Sequence, residues 1–331
     1  MGPVLVTGAT GFLGGSIARR LARMGVKVRA TGRNLRAGAL LEAEGIPFVA
    51  CELSGEESVL NRWMEGCEVV IHAAALSAPW GRRQDFEAAN VVATREVIRA
   101  CARSGVRRLV HVSSTSVSFA FQHQSWLHEG MPWSEPPANH YIATKRQAER
   151  MAVEAGAVVL RPRALFGPGD TTLLPRLVRV ARRGVFPLFG DGDPLLELTW
   201  IEDATDATLL AMEAPTHCLG RVYQISSGHL LPRSLVLGTL LEACGLDVRF
   251  RRVPTGLFLA IAGGMEMISK LCTGETWEPP LTRYVVGVLG FEQTHDIGAA
   301  RRELGYAPET DVRSALVRCG EAWRREQGRK G

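Results

Sequence analysis

The chain has no C-x-x-C pair, no H-x-x-x-H or H-E-x-x-H spacing, no run of five like charges, no internal repeat and no low-complexity segment. Each absence removes a class of protein. Its seven cysteines, at 51, 67, 101, 218, 244, 272 and 319, are odd in number and scattered. That pattern fits reduced thiols of a cytoplasmic protein and not a disulfide framework or a thiolate zinc site. The histidines lack ligand spacing as well, so no metal is expected. Net charge is +5, from 39 basic and 34 acidic residues, with the arginines dispersed. Nucleic acid is therefore not an expected partner, although an anionic cofactor or substrate suits the same charge. A strand expected from Pro3 onward leaves no signal peptide to read. The most apolar window, Val253 to Cys272, is interrupted by Glu266 and Lys270. It reads as too short to span a bilayer and as a buried or interfacial helix, with peripheral membrane contact as the resulting expectation.

What is present begins at once. Residues Val4 to Gly14 read V-L-V-T-G-A-T-G-F-L-G. A short apolar strand runs into three glycines at spacing three, Gly8, Gly11 and Gly14, and then into a helical pattern. Such a turn aims backbone N–H groups and the positive end of a helix dipole at one point, where glycine lets a pyrophosphate come close. The spacing is G-x-x-G-x-x-G and not the commoner G-x-G-x-x-G.

The chain holds 331 residues, 46% apolar and 22% charged, as in ordinary soluble domains. Through residue 161, β-branched runs at 4–7, 26–31, 47–51, 69–73, 108–113 and 158–161 alternate with helical patterns at 14–24, 36–44, 56–65, 85–104 and 141–155. That alternation predicts an α/β fold, a Rossmann-type doubly wound parallel sheet, with a late strand at 222–226. Further helices are predicted at 173–183, 201–213, 234–244 and 297–304, between Pro/Gly-rich joints. The expected division is a dinucleotide-binding domain of 1–162 plus 201–226 and a smaller, mostly helical substrate lobe of 163–200 plus 227–331. The ligand site is then expected in the cleft between them.

Tyr141 and Lys145 lie four apart at the start of a predicted helix, which stacks phenol and ammonium on one face. A cation beside a phenol, together with an oxidised nicotinamide ring, favours the phenolate and makes tyrosine a usable acid/base near neutral pH. Ser113, Ser114 and Thr115 end a predicted strand at the carboxyl edge of the sheet, where hydroxyls meet substrate oxygens or simply shape a turn. Asn90, on the helix after Asp85, reads as the holder of a backbone carbonyl, as the holder of a relay water near Lys145, or as a surface amide.

The glycine turn, the S-S-T strand end and Y-x-x-x-K, in this order, resemble the extended short-chain dehydrogenase/reductase family. So do H-A-A-A at 72–75, R-P-R-A-L-F-G-P-G-D at 161–170, G-D-G at 190–192, L-T-W-I-E-D at 198–203 and R-R-E-L-G-Y-A-P at 301–308. Within it, A-P-W-G at 78–81, V-S-S-T-S-V at 112–117 and E-P-P-L-T-R at 278–283 resemble the 3β-hydroxysteroid dehydrogenase-like branch. Its 2-alkyl-3-oxoalkanoate reductases and sterol-4-carboxylate 3-dehydrogenases interconvert a 3-hydroxy and a 3-keto group beside a carboxylate.

The resemblance implies Tyr141 as acid/base, Lys145 as the group that lowers its pKa and binds the nicotinamide ribose, Ser114 as the polariser of the reacting oxygen, and Asn90 beside them. It implies a dinucleotide resting on Gly8, Thr10, Gly11, Phe12, Leu13, Gly14, Ala73, Ala74, Ala75, Tyr141, Lys145 and Pro162, with Glu52 and Leu53 at the adenine. Where many relatives carry an acidic residue this chain has Gly32 followed by Arg33, so NADP is favoured over NAD. A homodimer through the helices at 85–104 and 141–155 is implied too.

On the substrate side Trp80, Phe119, Phe121, Trp126, Trp133, Phe166, Trp200 and Trp277 fall in predicted loops or the smaller lobe. About half of them are expected to be core and the rest to line a site for a bulky, lipid-like substrate. Trp80, Phe119 and Phe166 are the aromatics expected to touch it. Arg283 and Arg163 are read as possible partners of its carboxylate or as ordinary salt-bridge residues. The expected activity is that of an NAD(P)-dependent oxidoreductase on such a substrate, with decarboxylation of a 3-keto acid product open. The rival readings are a nucleotide-sugar epimerase or dehydratase and a non-catalytic dinucleotide sensor.

Overall fold

The computed structural model of the chain describes residues 2–328. The chain runs through β1 (Val4–Thr7), α1 (Phe12–Arg23), β2 (Val28–Gly32), α2 (Leu35–Ala43), β3 (Phe48–Ala50), α3 (Glu57–Met64) and β4 (Val69–His72). An interrupted helical run follows: α4 (Arg83–Phe86), a π-helical segment Glu87–Val92 and α5 (Ala93–Arg103). Next come β5 (Arg108–Val112), the short β6 (Gln124–Leu127), α6 (His140–Glu154) and β7 (Val158–Pro162). Beyond β7 lie β8 (Leu165–Phe166), α7 (Leu173–Ala181), β9 (Val185–Phe189), β10 (Leu195–Glu197), β11 (Thr199–Trp200), α8 (Ile201–Glu213) and β12 (Val222–Ile225). The chain closes with β13 (Leu230–Pro232), α9 (Arg233–Ala243), β14 (Arg249–Val253), α10 (Thr255–Thr273), α11 (Arg283–Gly290), β15 (Gln293–His295) and α12 (Val312–Gly328).

Seven parallel strands form one sheet in the order β3-β2-β1-β4-β5-β7-β12. This is the expected doubly wound Rossmann-type arrangement. The order reverses between β1 and β4, and the crevice beyond their carboxyl ends is where such a sheet binds ligands. Strand residues read as unbroken apolar runs because both faces are covered. Val4 and Val6 enter one core while Leu5 enters the other. Val69 and Ile71 part from Val70 in the same way, as do Val158 and Leu160 from Val159. Leu13, Ile17 and Leu21 of α1 with Ala204, Ala207 and Ala211 of α8 close the first face; Leu60 and Met64 of α3 with Val97 and Ala100 of α5 close the second. Each such Val, Leu or Ile stabilises the fold by about 1.5–3 kcal/mol through burial.

The remaining strands pair in small units, β10 with β13, β11 with β8, β14 with β9 and β15 with β6. Helices α11 and α12 extend the sequence reading. Along α12 the buried positions Val312, Ala315, Leu316, Cys319 and Gly320 make one helical stripe, but intervening arginines dilute its apolar signal. Gly320 allows α9 to come close: a Cβ there would lie 2.8 Å from the Leu240 carbonyl oxygen and nearer still to the Ala243 side chain.

Helix α10 corrects the sequence reading of its length and sets aside the buried one of its two alternatives, buried or interfacial. Its 19 residues extend about 28 Å at 1.5 Å per residue, so length alone does not bar a span. Only one narrow face is buried, through Ala262, Glu266 and Ser269. Ser269 accepts from Trp80 and donates to the Trp277 carbonyl, and Glu266 accepts from Arg283, so the helix is tied to the protein surface.

Helix α6 is held to the sheet by charge. Glu149, buried, accepts from Arg161 on β7 at 2.9 and 2.5 Å, and from the Ser113 hydroxyl beyond β5 at 2.5 Å. Trp133 lies against Arg161, Arg146 and Arg150 and shields the cluster. A buried pair that loses one member leaves the other charge uncompensated. Glu149→Ala is therefore expected to destabilise the protein by about 3–5 kcal/mol, read as a lowered urea midpoint; an unchanged midpoint would remove this anchor from the account.

Candidate active site

Three structural pieces converge at the carboxyl ends of β1, β4 and β5. The first is the glycine turn. Gly8 has φ +68°, and a Cβ there would lie 2.7 Å from the backbone of Ala74 at the end of β4. At Gly14 a Cβ would lie 2.7 Å from the Gly8 carbonyl carbon and nearer still to its oxygen. Both positions exclude side chains because backbone meets backbone. Gly11 caps α1 without a side-chain acceptor, and no acidic residue sits in the first turn, so the helix N-terminus faces outward uncompensated.

The second piece is a cavity of about 270 Å³ beside that turn. Gly8, Thr10 and Gly11 line one side, Ala73, Ala74 and Ala75 the floor, and Arg33, Glu52 and Leu53 the far end. Gly32 is small here for a local reason: a Cβ would overlap the Thr10 side chain, with its Cγ2 2.9 Å away. Arg33 is exposed and lies 3.5 Å from Glu52 across the cavity end. The turn, the uncapped N-terminus and the alanine floor fit a dinucleotide phosphate approached by backbone. Leu13 turns into the core, and Phe12 lines a neighbouring cavity beside α1. Pro162 ends β7 opposite Ile225.

The third piece is the hydroxyl cluster. Tyr141 is buried among Phe86, Phe119 and Ile142, with Leu76, Ala78, Tyr284 and Val288 packed around them. Burial pushes its phenol above the ordinary tyrosine value, and the hydroxyls of Ser114 and Ser77 act in the opposite direction. Lys145 is buried too, and its ammonium donates to the Val112 carbonyl at 2.7 Å. Burial lowers its pKa to about 8 against the opposing pull of Glu149. Desolvation is the dominant influence on the Tyr141 phenol here.

Asn90 sits in the π-helical segment and is fully enclosed. Its Oδ1 accepts from the Leu76 N–H at 2.7 Å, while Nδ2 donates to the Leu76 carbonyl at 3.2 Å and to Thr144 at 3.0 Å. It therefore holds the loop after β4 against α6, the backbone-holding alternative of the sequence reading. It is not bonded to Lys145. A π-turn is the local cost of aiming that amide inward.

The substrate-side expectations divide. Phe119 reaches the cluster, with its ring 5.1 Å from that of Tyr284. Phe166 does not: it is core, packed 5.3 Å from the ring of Trp200, which corrects its assignment. Trp80 spends its indole N–H on Ser269 at 3.0 Å and so props α10. Arg283 pairs with Glu266 at 2.6 Å, the salt-bridge alternative. Arg163 is buried and donates to Gln293. Sequence reading missed Ser77, Ser116, Tyr284 and Glu149. Tyr284 stands one residue beyond the E-P-P-L-T-R segment, and Glu149 continues the spacing of Tyr141 and Lys145 by one more turn.

Elsewhere, all seven cysteines are free and six are buried. His217, Cys218 and Glu303 place ligand atoms within 4.8 Å of one another. Glu303 is already shared between Arg221 at 2.9 Å and the Tyr223 hydroxyl at 2.7 Å, so this group reads as a structural knot.

Comparison with known proteins agrees with this geometry. The NAD dependent epimerase/dehydratase family matches residues 4–226. The uncharacterized protein YbjS of Escherichia coli (strain K12) is 36% identical, covering 98% of each chain. A 2-alkyl-3-oxoalkanoate reductase of Shewanella oneidensis is 34% identical over 95% of this chain and 84% of its own. The 3beta-hydroxysteroid-dehydrogenase/decarboxylase isoform 1 of Arabidopsis thaliana is 29% identical over 85% and 67%. In fold, a UDP-glucuronic acid 4-epimerase from Bacillus cereus, solved with NAD, superposes with a TM-score of 0.76 at 18% identity, covering 98% and 96%.

The chain belongs to the NAD dependent epimerase/dehydratase family, the extended short-chain dehydrogenases/reductases. Within that class it is an NAD(P)-dependent oxidoreductase of CH–OH groups.

The buried lysine gives a test that needs no substrate. Between about pH 8 and the unfolded value near 10.4, the unfolded chain binds more protons at Lys145 than the folded one, so this residue's contribution to stability rises with pH. Lys145→Met is expected to be more stable than wild type at pH 7, with the gap shrinking towards pH 10 in urea melts. A gap that does not change with pH would contradict the desolvated lysine.

Proposed function

We propose that this enzyme interconverts a 3-hydroxy and a 3-keto group on a bulky apolar substrate, a β-hydroxy/β-keto acid or a sterol. The observation that carries the reading is the apolar, aromatic wall around Tyr141 made by Phe86, Phe119, Tyr284 and Val288. Phe86 and Phe119 are almost wholly buried against Tyr141, so the packing beside the reacting group is hydrocarbon, which suits an apolar skeleton. The names of the reductase and the sterol dehydrogenase/decarboxylase relatives point the same way. This separates the proposal from the nucleotide-sugar alternative, whose representative shares fold alone with this chain.

Under this reading the dinucleotide phosphates rest on Gly8, Thr10, Gly11 and the α1 N-terminus, with the adenosine beside Arg33, Glu52 and Leu53. A bound nicotinamide dinucleotide supplies or accepts the hydride. Tyr141, kept protonated by burial, gives its proton to the substrate oxygen during reduction and receives it in the reverse sense. Ser114 donates a hydrogen bond to the same oxygen as charge gathers on it. Lys145, one turn on from Tyr141 and bonded to the Val112 carbonyl, would meet the nicotinamide ribose. Asn90 keeps the Leu76 loop in place. Where the product is a 3-keto acid, its ketone can take up the electrons released on loss of CO₂.

Arg33, 63% exposed at the cavity end, suits a 2′-phosphate and favours NADP. The protein is further proposed to be cytoplasmic, to pair through α5 and α6, and to touch membranes through α10. On that helix Leu257, Ile261, Ile268 and Leu271 are 55%, 41%, 57% and 76% exposed, at the spacing of one helical face with Gly264 between them. Arg249, Arg251 and Arg252, exposed just before the helix, would favour anionic lipid.

Tyr141→Phe is expected to lose NADPH oxidation with a long-chain 2-alkyl-3-keto acid by at least about a hundredfold, while fluorescence titration shows NADPH bound as in wild type. Retained turnover would overturn Tyr141's role, and a sensor would be indifferent. Arg33→Ala is expected to weaken NADPH binding and spare NADH. Flotation with anionic liposomes is expected for wild type and not for Leu271→Asp; equal behaviour of the two would remove the membrane reading.

A further inference from the structure

We propose that Tyr284, from the first turn of α11, heads a hydroxyl chain through Ser116 to Ser114 and sets the direction in which Ser114 presents its proton. This rests on the 3-hydroxy/3-keto reading above, and it makes Tyr284 and Ser116 positioning residues for that reaction.

The chain of contacts is continuous. The Tyr284 hydroxyl lies 2.8 Å from the Ser116 hydroxyl, and the Ser116 hydroxyl lies 3.1 Å from that of Ser114. Ser114 also accepts from the Ser116 backbone N–H at 3.2 Å, as the cap of the short 3-10 turn Thr115–Ser118. Ser114 is thus doubly tied to Ser116, and its proton has two destinations. Here Ser114 donates to Ser116, which leaves none for a substrate oxygen. If Ser116 donates to Ser114 instead, the Ser114 proton is free to turn into the site.

Tyr284 decides between these states. A phenol O–H is a stronger donor and a weaker acceptor than an alkyl hydroxyl. Burial and the neighbouring Tyr141 push the Tyr284 phenol up to about 12, so it keeps its proton through the working range. Donating to Ser116, it fills that oxygen and leaves the Ser116 proton facing Ser114. Each bond then polarises the next in one direction, from Tyr284 through Ser116 and Ser114 to the substrate oxygen. The ring is fixed for this by Phe119, edge-on at 5.1 Å. Thr282 caps α11, accepting from Val285, and Glu266 accepts from the Arg283 N–H at 2.7 Å, so the turn that carries Tyr284 is held at both ends of its approach.

The test compares Tyr284→Phe, Ser116→Ala and the double variant in NADPH-dependent reduction of a 2-alkyl-3-keto acid. Each single variant is expected to lower kcat about tenfold, a fraction of the loss for removing an oxyanion donor outright, with KM and NADPH binding unchanged. The double variant is expected to lose no more than either single one, because all three interrupt one chain. In a Ser114→Ala background Tyr284→Phe is expected to have no further effect. A normal kcat, a loss confined to KM, or an equal loss without Ser114 would overturn the relay.

If wild type reduces no keto acid, the function reading falls and the relay is read by another route. The chain has only four tyrosines, so the phenolate absorbance of Tyr141 is resolved by difference against Tyr141→Phe in the NADP-saturated protein. Loss of Tyr284 turns the Ser114 proton away from Tyr141 and is expected to move that titration to higher pH, with Ser116→Ala doing the same. An unmoved titration would overturn the relay.

Discussion

The site depends on one buried ion pair, Glu149 with Arg161. It joins the third turn of α6 to the strand two places from β4, and Ser113 adds a third bond at the end of β5. Tyr141 and Lys145 ride on the same helix at spacings of four, so the pair fixes their height above the sheet as well as their rotation. A carboxylate and a guanidinium withdrawn from water are held to narrow geometry, since misalignment leaves a charge unsolvated. Apolar packing alone would let the helix slide by fractions of a turn at small cost. The ion pair removes that freedom where the reacting groups need it removed.

Desolvation runs through the same region and gives each titratable group its character. His72, which bonds Thr7 and Thr94, and His111 lie under Lys145, and burial keeps both neutral. Lys145 is weakened as a cation by burial and steadied by Glu149. Tyr141 and Tyr284 are both strengthened in their protonated forms. A centre arranged this way holds its protons on oxygen, which is the state from which a carbonyl is reduced. The aromatic side chains packed around Tyr141 exclude water from it, which is the cause of its raised pKa.

The legible parts of this architecture were those carried by local pattern. The strands at 4–7, 69–72 and 108–112 could be read because burial on both faces leaves unbroken β-branched runs. The helix at 140–154 could be read, as 141–155, from its helical pattern with Y-x-x-x-K at the start. Helices α11 and α12 were not, because their stripes are short or diluted with arginine. Phe166 was misplaced because an aromatic in a Pro/Gly-rich joint looks the same whether it turns into the core or into a cleft. Its partner Trp200 lies 34 positions away, on β11.

Sequence by itself determined the sheet, the glycine turn, and the presence of Ser114, Tyr141 and Lys145 on elements ending at one edge. Those follow from periodicity and from the few residues that permit a backbone approach. Only the tertiary structure decided which way Asn90 faces, that Trp80 props α10, and that Tyr284 arrives 2.8 Å from Ser116 across 168 positions. Hydrogen bonds act over about 3 Å, and a contact of that reach between distant segments is fixed by how whole elements pack. No spacing within the chain records it.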